Sequence, residues 1–206
     1  PTNTLDKEYI ILNYRGGVAP AAYPTYSTIV AIEPGVTNVT YTSTVTTNSG
    51  SLGSISATKS KTVQLNQFQI LNIENSSGES SGSRVVANKK VAVFAGAVCT
   101  NIPEGKTYCD HIEEQLFPLQ IWGKNYNAVK TRPRDKEYDV WRIIAQKNNT
   151  KVTLSSPLNQ TFTLNAGEFK EISTTESFQI TADNPVMVGQ FMVGSQLVYS
   201  KEDYGD

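Results

Sequence analysis

The segment Cys99–Pro118, CTNIPEGKTYCDHIEEQLFP, separates two halves of the chain whose composition is typical of strands. It contains both cysteines and the only histidine of the 206 residues. Asp110 is a suitable N-cap and Glu113 follows three positions later, so a short helical turn is predicted near 110–117. Pro118 would end this turn, because proline cannot continue a helix. The segment is therefore predicted to connect two β units.

The two cysteines are predicted to form a disulfide. Cys99 and Cys109 enclose nine residues, and the turn Pro103-Glu104-Gly105 would bring them together. Closing this loop would stabilise the fold by about 2.8 kcal/mol in the chain-entropy model. Two cysteines and a histidine could instead bind zinc, but structural zinc sites usually show a second close ligand pair, which this sequence lacks. A disulfide without a metal is favoured, and it indicates an oxidising compartment.

A structural or ligand-binding cluster is a second prediction for this segment, and its members are Asp110, His111, Glu114 and Gln115. A histidine beside carboxylates can serve acid–base or metal chemistry, so a metal-dependent hydrolase centred on His111 is one interpretation. The sequence contains no second histidine, so His111 cannot complete a two-histidine metal site. The favoured interpretation is structural, with His111 bonded to a loop and the carboxylates capping or pairing. The sequence therefore predicts no catalytic residue and no cofactor.

Composition favours an exported protein. A formal net charge of −1 gives no electrostatic footprint for nucleic acid or an anionic membrane. No apolar run approaches the roughly 18 residues of a spanning helix, and any signal peptide is expected to have been removed or to lie outside the given sequence. Four Asn-x-Ser/Thr sequons, which a secreted eukaryotic protein could glycosylate, occur at Asn38, Asn75, Asn148 and Asn159.

Short runs rich in Val, Ile, Tyr and Thr predict an all-β protein. Four blocks of the first half recur in the same order in the second half. They pair Lys7–Tyr14 with Lys124–Thr131, Ser27–Thr42 with Trp141–Ser155, Thr62–Ile73 with Thr161–Ile172, and Arg84–Phe94 with Gln179–Gly189. We therefore predict an internal duplication that gives two related antiparallel β-sandwich-like units, 8–118 and 119–206, which could share one core.

Turn residues inside two of these blocks predict hairpins. Asn88-Lys89 separates two apolar runs in the first half, and Asp183-Asn184-Pro185 does so in the second.

A basic cluster follows the connector. Lys130, Arg132 and Arg134 lie on a predicted loop, with Trp122 and Tyr126 close in sequence. Cations and aromatic rings together suit a sulfated or sialylated glycan. Acidic residues interleave with the cations, so an ion-paired loop exposed to solvent is the other interpretation.

Several longer segments carry a resemblance to a known family. They are SRVVANKKVAVFAGAVCTNIP, YCDHIEEQLFPLQIWGKNY, VWRIIAQKNNTKVTL, TLNAGEFKEI and ITADNPVMVGQFMVG, and the arrangement Cys…Cys-Asp-His…Glu-Gln…Pro is the most specific part. In these segments the chain resembles the amino-terminal domain family of the IgG Fc-binding protein, a module of mucus proteins and of large exported bacterial proteins. The resemblance covers most of Glu8–Asp206. It implies that the chain is a fragment, because the family continues beyond the final Gly-Asp.

The resemblance implies an extracellular β-rich module with no established catalytic activity. We therefore expect a non-enzymatic adhesion or interaction module at the cell surface, which binds glycans or proteins of a host or environmental surface. The expected module is flanked by further domains, binds no nucleic acid and inserts into no membrane. A structural stalk or spacer is the alternative. No family motif for Fc contact can be placed residue by residue on this sequence, so immunoglobulin binding is not predicted from it.

Overall fold

The computed structural model describes residues 2–15, 23–132, 134 and 137–198. These residues form strands joined by turns, with three-residue 3-10 helices at Thr2–Thr4, Leu119–Ile121 and Ser195–Leu197. No helix in this part of the chain is long and apolar enough to cross a membrane. The prediction of an all-β protein with two antiparallel sandwich-like units is confirmed.

The chain divides into two compact units. Within the described residues, the first unit comprises 2–15, 23–100 and 111–122, and the second comprises 101–110, 123–132, 134 and 137–198. Residues 101–110 thus belong to the second unit although 111–122 of the first unit follow them in the chain.

The first sheet contains seven strands. They are β1 (Asp6–Ile10), β2 (Thr25–Ala31), β3 (Thr37–Thr42), β4 (Ser60–Leu65), β5 (Ile70–Asn75), β6 (Arg84–Thr100) and β7 (Asp110–Gln115). The order across the sheet is β4-β3-β6-β2-β5, and both β1 and β7 also pair with β6. The long strand β6 is therefore the centre on which the unit is assembled.

The second sheet contains six strands. They are β8 (Gly123–Ala128), β9 (Asp139–Ala145), β10 (Thr150–Leu154), β11 (Thr161–Leu164), β12 (Phe169–Thr174) and β13 (Phe178–Phe191). The order is β11-β10-β13-β9-β12, with β8 also paired to β13. Strand for strand, this is the order of the first sheet.

The two sheets also share their register. Val91 of β6 pairs with Ala31 of β2, and the corresponding residues Val186 and Ala145 pair in the second sheet. At the outer pair, Thr37 lies opposite Leu65, as Thr150 lies opposite Leu164. These are the residues that the aligned sequence blocks make equivalent.

A tyrosine occupies the same position at the start of each unit. The Tyr9 hydroxyl donates to the Val91 carbonyl at 2.7 Å and accepts the Asp6 N–H at 3.0 Å. The Tyr126 hydroxyl donates to the Val186 carbonyl at 2.7 Å and accepts the Gly123 N–H, also at 2.7 Å. A buried phenol needs such a partner, and both units provide the same one.

Each unit has an apolar core made by alternating strand positions. In β3, β5 and β10 buried and more exposed residues alternate, as expected for strands with one face on a core. The second core includes Trp141, Ile143, Val152, Leu154 and Ile180, and Trp141 meets Phe178 edge to face with ring centroids 5.7 Å apart.

The two predicted hairpins are wrong, because β6 and β13 run continuously through Asn88-Lys89 and Asp183-Asn184-Pro185. At these points the strands change partners, and β6 leaves β3 to pair with β2. At each change of partner, a polar side chain accepts a backbone N–H of the neighbouring strand. Asn88 accepts the Asn38 N–H at 2.8 Å, and Asp183 accepts the Lys151 N–H at 2.9 Å.

The predicted helical turn near 110–117 is also wrong. Residues Asp110–Gln115 form β7, and Leu116 continues its pairing by donating to the Val93 carbonyl at 2.8 Å. A single helical turn gains few internal hydrogen bonds for the backbone freedom it loses, whereas an added strand forms a ladder with β6. Tertiary pairing therefore overrides the local capping signal.

Candidate binding site

Cys99 and Cys109 form a disulfide, as predicted. The loop they enclose is held further by two hydrogen bonds within the second unit. Gly194 N–H donates to the Ile102 carbonyl at 2.8 Å, and Thr107 N–H donates to the Gln196 side chain at 2.7 Å. The loop is therefore held by the disulfide together with these two hydrogen bonds.

The predicted cluster is divided by the alternation of β7. Successive side chains of a strand point to opposite faces, so His111 and Gln115 share one face while Asp110 and Glu114 lie on the other. A helical turn would have placed Asp110 beside Glu114. The residue that does join His111 is Glu113, which was left out of the predicted cluster.

Tyr26 of β2 completes a small polar group with these two residues. Its hydroxyl donates to Glu113 Oε2 at 3.0 Å and lies 3.4 Å from His111 Nε2. The His111 ring stacks on the Tyr26 ring with centroids 6.2 Å apart, and His111 Nε2 lies 3.6 Å from Glu113 Oε2. Recognition of β7 as a strand would have indicated Glu113, but no local signal indicates Tyr26.

Tyr26 acts in this group as a hydrogen-bond donor. Burial, followed by the hydrogen bond to Glu113, raises the pKa of Tyr26 to about 12, so its phenol stays protonated as a donor. Gly96 allows the close approach of β7, because a Cβ there would lie 2.3 Å from the Ile112 carbonyl oxygen. Among the described residues, no three His, Cys, Asp or Glu side chains are arranged to hold a metal ion.

The five predicted glycan-contact residues differ in exposure. Lys130 is nearly buried, with 9% of its side chain exposed, and its Nζ lies 3.2 Å from Asp139 Oδ1. Asp139 also accepts the Thr131 N–H at 2.8 Å, the Thr131 hydroxyl at 2.7 Å and the Gln190 amide at 2.8 Å. Burial alone would raise the pKa of Asp139, but these hydrogen bonds outweigh it and lower the pKa.

The remaining members have other roles. Arg134 donates to Glu137 and to the Val193 carbonyl, while Arg132 is exposed. Tyr126 is the structural tyrosine of the second unit, and Trp122 is a buried residue of the first unit. Of the five, Arg132 and Arg134 are the exposed cations.

The sequons differ in accessibility. Asn75 is buried, accepts from the Thr25 hydroxyl at 2.9 Å and donates to the Gly78 carbonyl at 3.2 Å. Asn38, Asn148 and Asn159 are exposed. Attachment of a glycan to Asn75 is therefore incompatible with this packing.

The first unit contains a groove of about 560 Å³ that the sequence did not indicate. It is lined by residues 47–53 and 55 of the loop after β3, by 61 and 63–65 of β4, by 69–74 at the turn and β5, and by Tyr41. Strands β4 and β5 are consecutive in the chain but lie at opposite ends of the sheet order, and the groove lies in the opening between them.

The loop wall of this groove is well anchored. Asn48 N–H donates to the Glu74 carbonyl at 2.7 Å, and Thr47 N–H donates to the Ile55 carbonyl at 3.0 Å. Ile55, the last loop residue that lines the groove, is buried, so the loop packs against the unit at this point. The groove is thus part of the fold, and its lining mixes amide, hydroxyl and apolar groups.

Comparison with known proteins places the chain in a family. The family model described as IgGFc binding protein matches residues 1–206. A protein of Homo sapiens named IgGFc-binding protein is 28% identical over 143 residues, which cover 69% of this chain and 2% of the human protein. The chain therefore aligns with a small fraction of that relative's length. No solved structure matches the chain.

Proposed function

Because the chain belongs to the IgGFc binding protein family, we propose that it is an extracellular, non-enzymatic protein-binding module of a larger polypeptide. The observation that carries this proposal is the groove of the first unit. It is open, is built into the fold and has a lining of both polar and apolar groups, which is the character of an interaction site.

The other candidate site gives no comparable support. His111 and Glu113 are about half exposed and contact Tyr26, and among the described residues they belong to no group of three His, Cys, Asp or Glu side chains that could hold a metal ion. The disulfide supports an extracellular location, since such bonds persist in oxidising compartments.

We further propose that the module arose by internal duplication. The support is the shared strand order, the shared register and the equivalent tyrosines Tyr9 and Tyr126. Independent origin would have to reproduce all three. After duplication, the two units diverged most in the loop that walls the groove, which gives the first unit a site of its own.

The test is a binding measurement on the purified chain, with its disulfide verified by mass spectrometry. Biolayer interferometry on immobilised IgG Fc fragment is expected to show saturable binding, with Fab fragment as the matched control that remains unbound. A glycan array and a cell-binding assay run in parallel test the other ligand class.

The outcomes separate the candidate functions. Saturable binding on the glycan array without binding to Fc would replace the protein ligand by a glycan. Blank results on Fc, array and cells would overturn the binding function and favour a stalk or spacer. Stoichiometric bound metal in elemental analysis, together with a hydrolytic activity that His111→Ala loses, would instead support a metal-dependent hydrolase centred on His111.

A further inference from the structure

We infer that the free edge of β5 docks an extended segment of a partner polypeptide, which adds to the first sheet as a further strand. This inference rests on the proposed function, since it specifies how the groove takes a protein ligand. Strand addition uses main-chain hydrogen bonds for affinity and alternate side chains for specificity.

The hydrogen bonds at the two ends of β5 fix which of its backbone groups face the groove. Ala31 N–H donates to the Gln69 carbonyl at 3.1 Å, so residue 69 faces β2. Backbone direction alternates along a strand, so Ile70, Asn72 and Glu74 face away from β2. The Glu74 carbonyl accepts the Asn48 N–H from the groove side, which agrees with Glu74 facing away from β2.

The lining of the groove favours a peptide backbone as its occupant. Residues 69–74 line it consecutively, and because side chains alternate between faces, a consecutive run means that the main chain itself forms the wall. No other strand of the described chain pairs with this side of β5. The Asn48–Glu74 bond shows that the edge already accepts one main-chain donor.

The groove does not select for charge. Its cation Lys61 is bonded to the Leu52 carbonyl, and its anion Glu74 accepts the Asn72 amide at 3.0 Å. Leu71 and Ile73 are buried beside it and give an apolar floor. A matching ligand therefore has an extended backbone with apolar side chains at alternate positions.

The second unit lacks the equivalent wall. The connection between β3 and β4 runs from 43 to 59, whereas that between β10 and β11 runs from 155 to 160. The residue equivalent to Asn72 is Glu171, whose carboxylate is paired with Arg142 at 2.9 Å. The walled groove is therefore a property of the first unit.

The test uses a phage-displayed library of random 12-residue peptides, panned against the full wild-type chain. Enriched peptides are expected to alternate apolar and polar residues and to bind Asn72→Pro at least tenfold more weakly than wild type. Proline at 72 removes the groove-facing N–H together with the side-chain bonds of Asn72 to Thr28 and Glu74. Asn72→Ala is the matched control, because it removes the same side-chain bonds but keeps the N–H, and it is expected to bind within twofold of wild type.

A second measurement avoids variants of the protein. An enriched peptide is N-methylated at odd or at even positions, and only the set that faces β5 is expected to lose at least tenfold in affinity for the wild-type chain. No enriched peptide, equal binding to Asn72→Pro and wild type, or tolerance of both methylation patterns would each overturn the edge site. Fc binding that persists alongside such a result would leave the proposed function standing.

Discussion

Replacement of Asp139 by asparagine tests whether the basic loop is an internal structure. Asp139 Oδ1 faces the Lys130 ammonium and the Thr131 hydroxyl, while Oδ2 faces the Thr131 N–H and the Gln190 amide. An asparagine at 139 has one acceptor oxygen, so its NH2 group must face two of these four donors in either orientation.

The expected loss follows from burial. The side chains of Lys130 and Asp139 are 9% and 2% exposed, so Asp139→Asn leaves a nearly buried cation without its counter-charge. Removing one partner of a buried pair destabilises by about 3–5 kcal/mol. The double variant Lys130→Met/Asp139→Asn removes both charges, and it is expected to be less destabilised than the sum of the single variants by about 1–3 kcal/mol.

Urea unfolding measures this effect when followed by Trp141 fluorescence in a Trp122→Phe background, because Trp141 lies in the core of the second unit. Thr161→Ala is the control in the same unit, since it removes only the exposed hydroxyl contact between Thr153 and Thr161 at 3.4 Å and is expected to cost less than about 1 kcal/mol. A loss for Asp139→Asn no larger than that for Thr161→Ala would refute a buried, structural role for Lys130.

Four further outcomes are expected. The free energy of unfolding contributed by Asp139 is present above its unfolded pKa of 3.8 and is lost as pH falls through the lowered folded value, so the excess cost of Asp139→Asn disappears in acid unfolding curves. Tyr9→Phe and Tyr126→Phe each leave a carbonyl acceptor unpaired and are expected to destabilise their units by a similar amount, about 1–2 kcal/mol in urea; a large effect in one and none in the other would count against equivalent roles. In differential absorbance titration against Tyr26→Phe, Tyr26 is expected to show no phenolate near pH 10 and to ionise at about 12, so its stabilisation is complete below pH 10 and is lost as pH rises toward 12; a midpoint near 10 would contradict this. Phe68 is 71% exposed, and its φ of +66° lies in the left-handed region that favours glycine; Gly167 holds the equivalent turn position in the second unit. Phe68→Gly is therefore expected to raise the free energy of unfolding by about 0.5–1 kcal/mol and, with it, the thermal midpoint. A lower midpoint would show that the ring makes a stabilising contact.

The sequence predicted the features that depend on local composition. Short runs rich in Val, Ile, Tyr and Thr indicated strands, and the shared blocks indicated a repeated order, which the two sheets contain in the same register. The nearby cysteines indicated the disulfide for an equally local reason, since a short loop with a turn brings them together.

Features set by pairing across the sheet were missed. Asp110 and Glu113 have helix-capping spacing, yet β7 forms because β6 offers a ladder. Asn88-Lys89 has turn composition, but it marks a change of strand partner within β6. In both cases the local sequence signal is present, but pairing with a strand distant in sequence determines the structure that forms.

The groove could not be predicted for a related reason. Consecutive strands β4 and β5 would ordinarily be expected to pair as a hairpin, and the turn 66–69 between them gives no sign that they separate. Their separation follows from the insertion of β3, β6 and β2 between them in the sheet order. The loop 47–55, with its Ser and Gly residues, likewise carries no sign of the wall that it forms.

The most direct test of the binding module is amide hydrogen–deuterium exchange on the wild-type chain with and without saturating IgG Fc fragment. Slower exchange is expected at the Ile70 and Asn72 amides when Fc is present, because these N–H groups face the groove. Unchanged exchange along β5 with slowing confined to residues 111–115, or no slowing anywhere, would contradict binding at this edge.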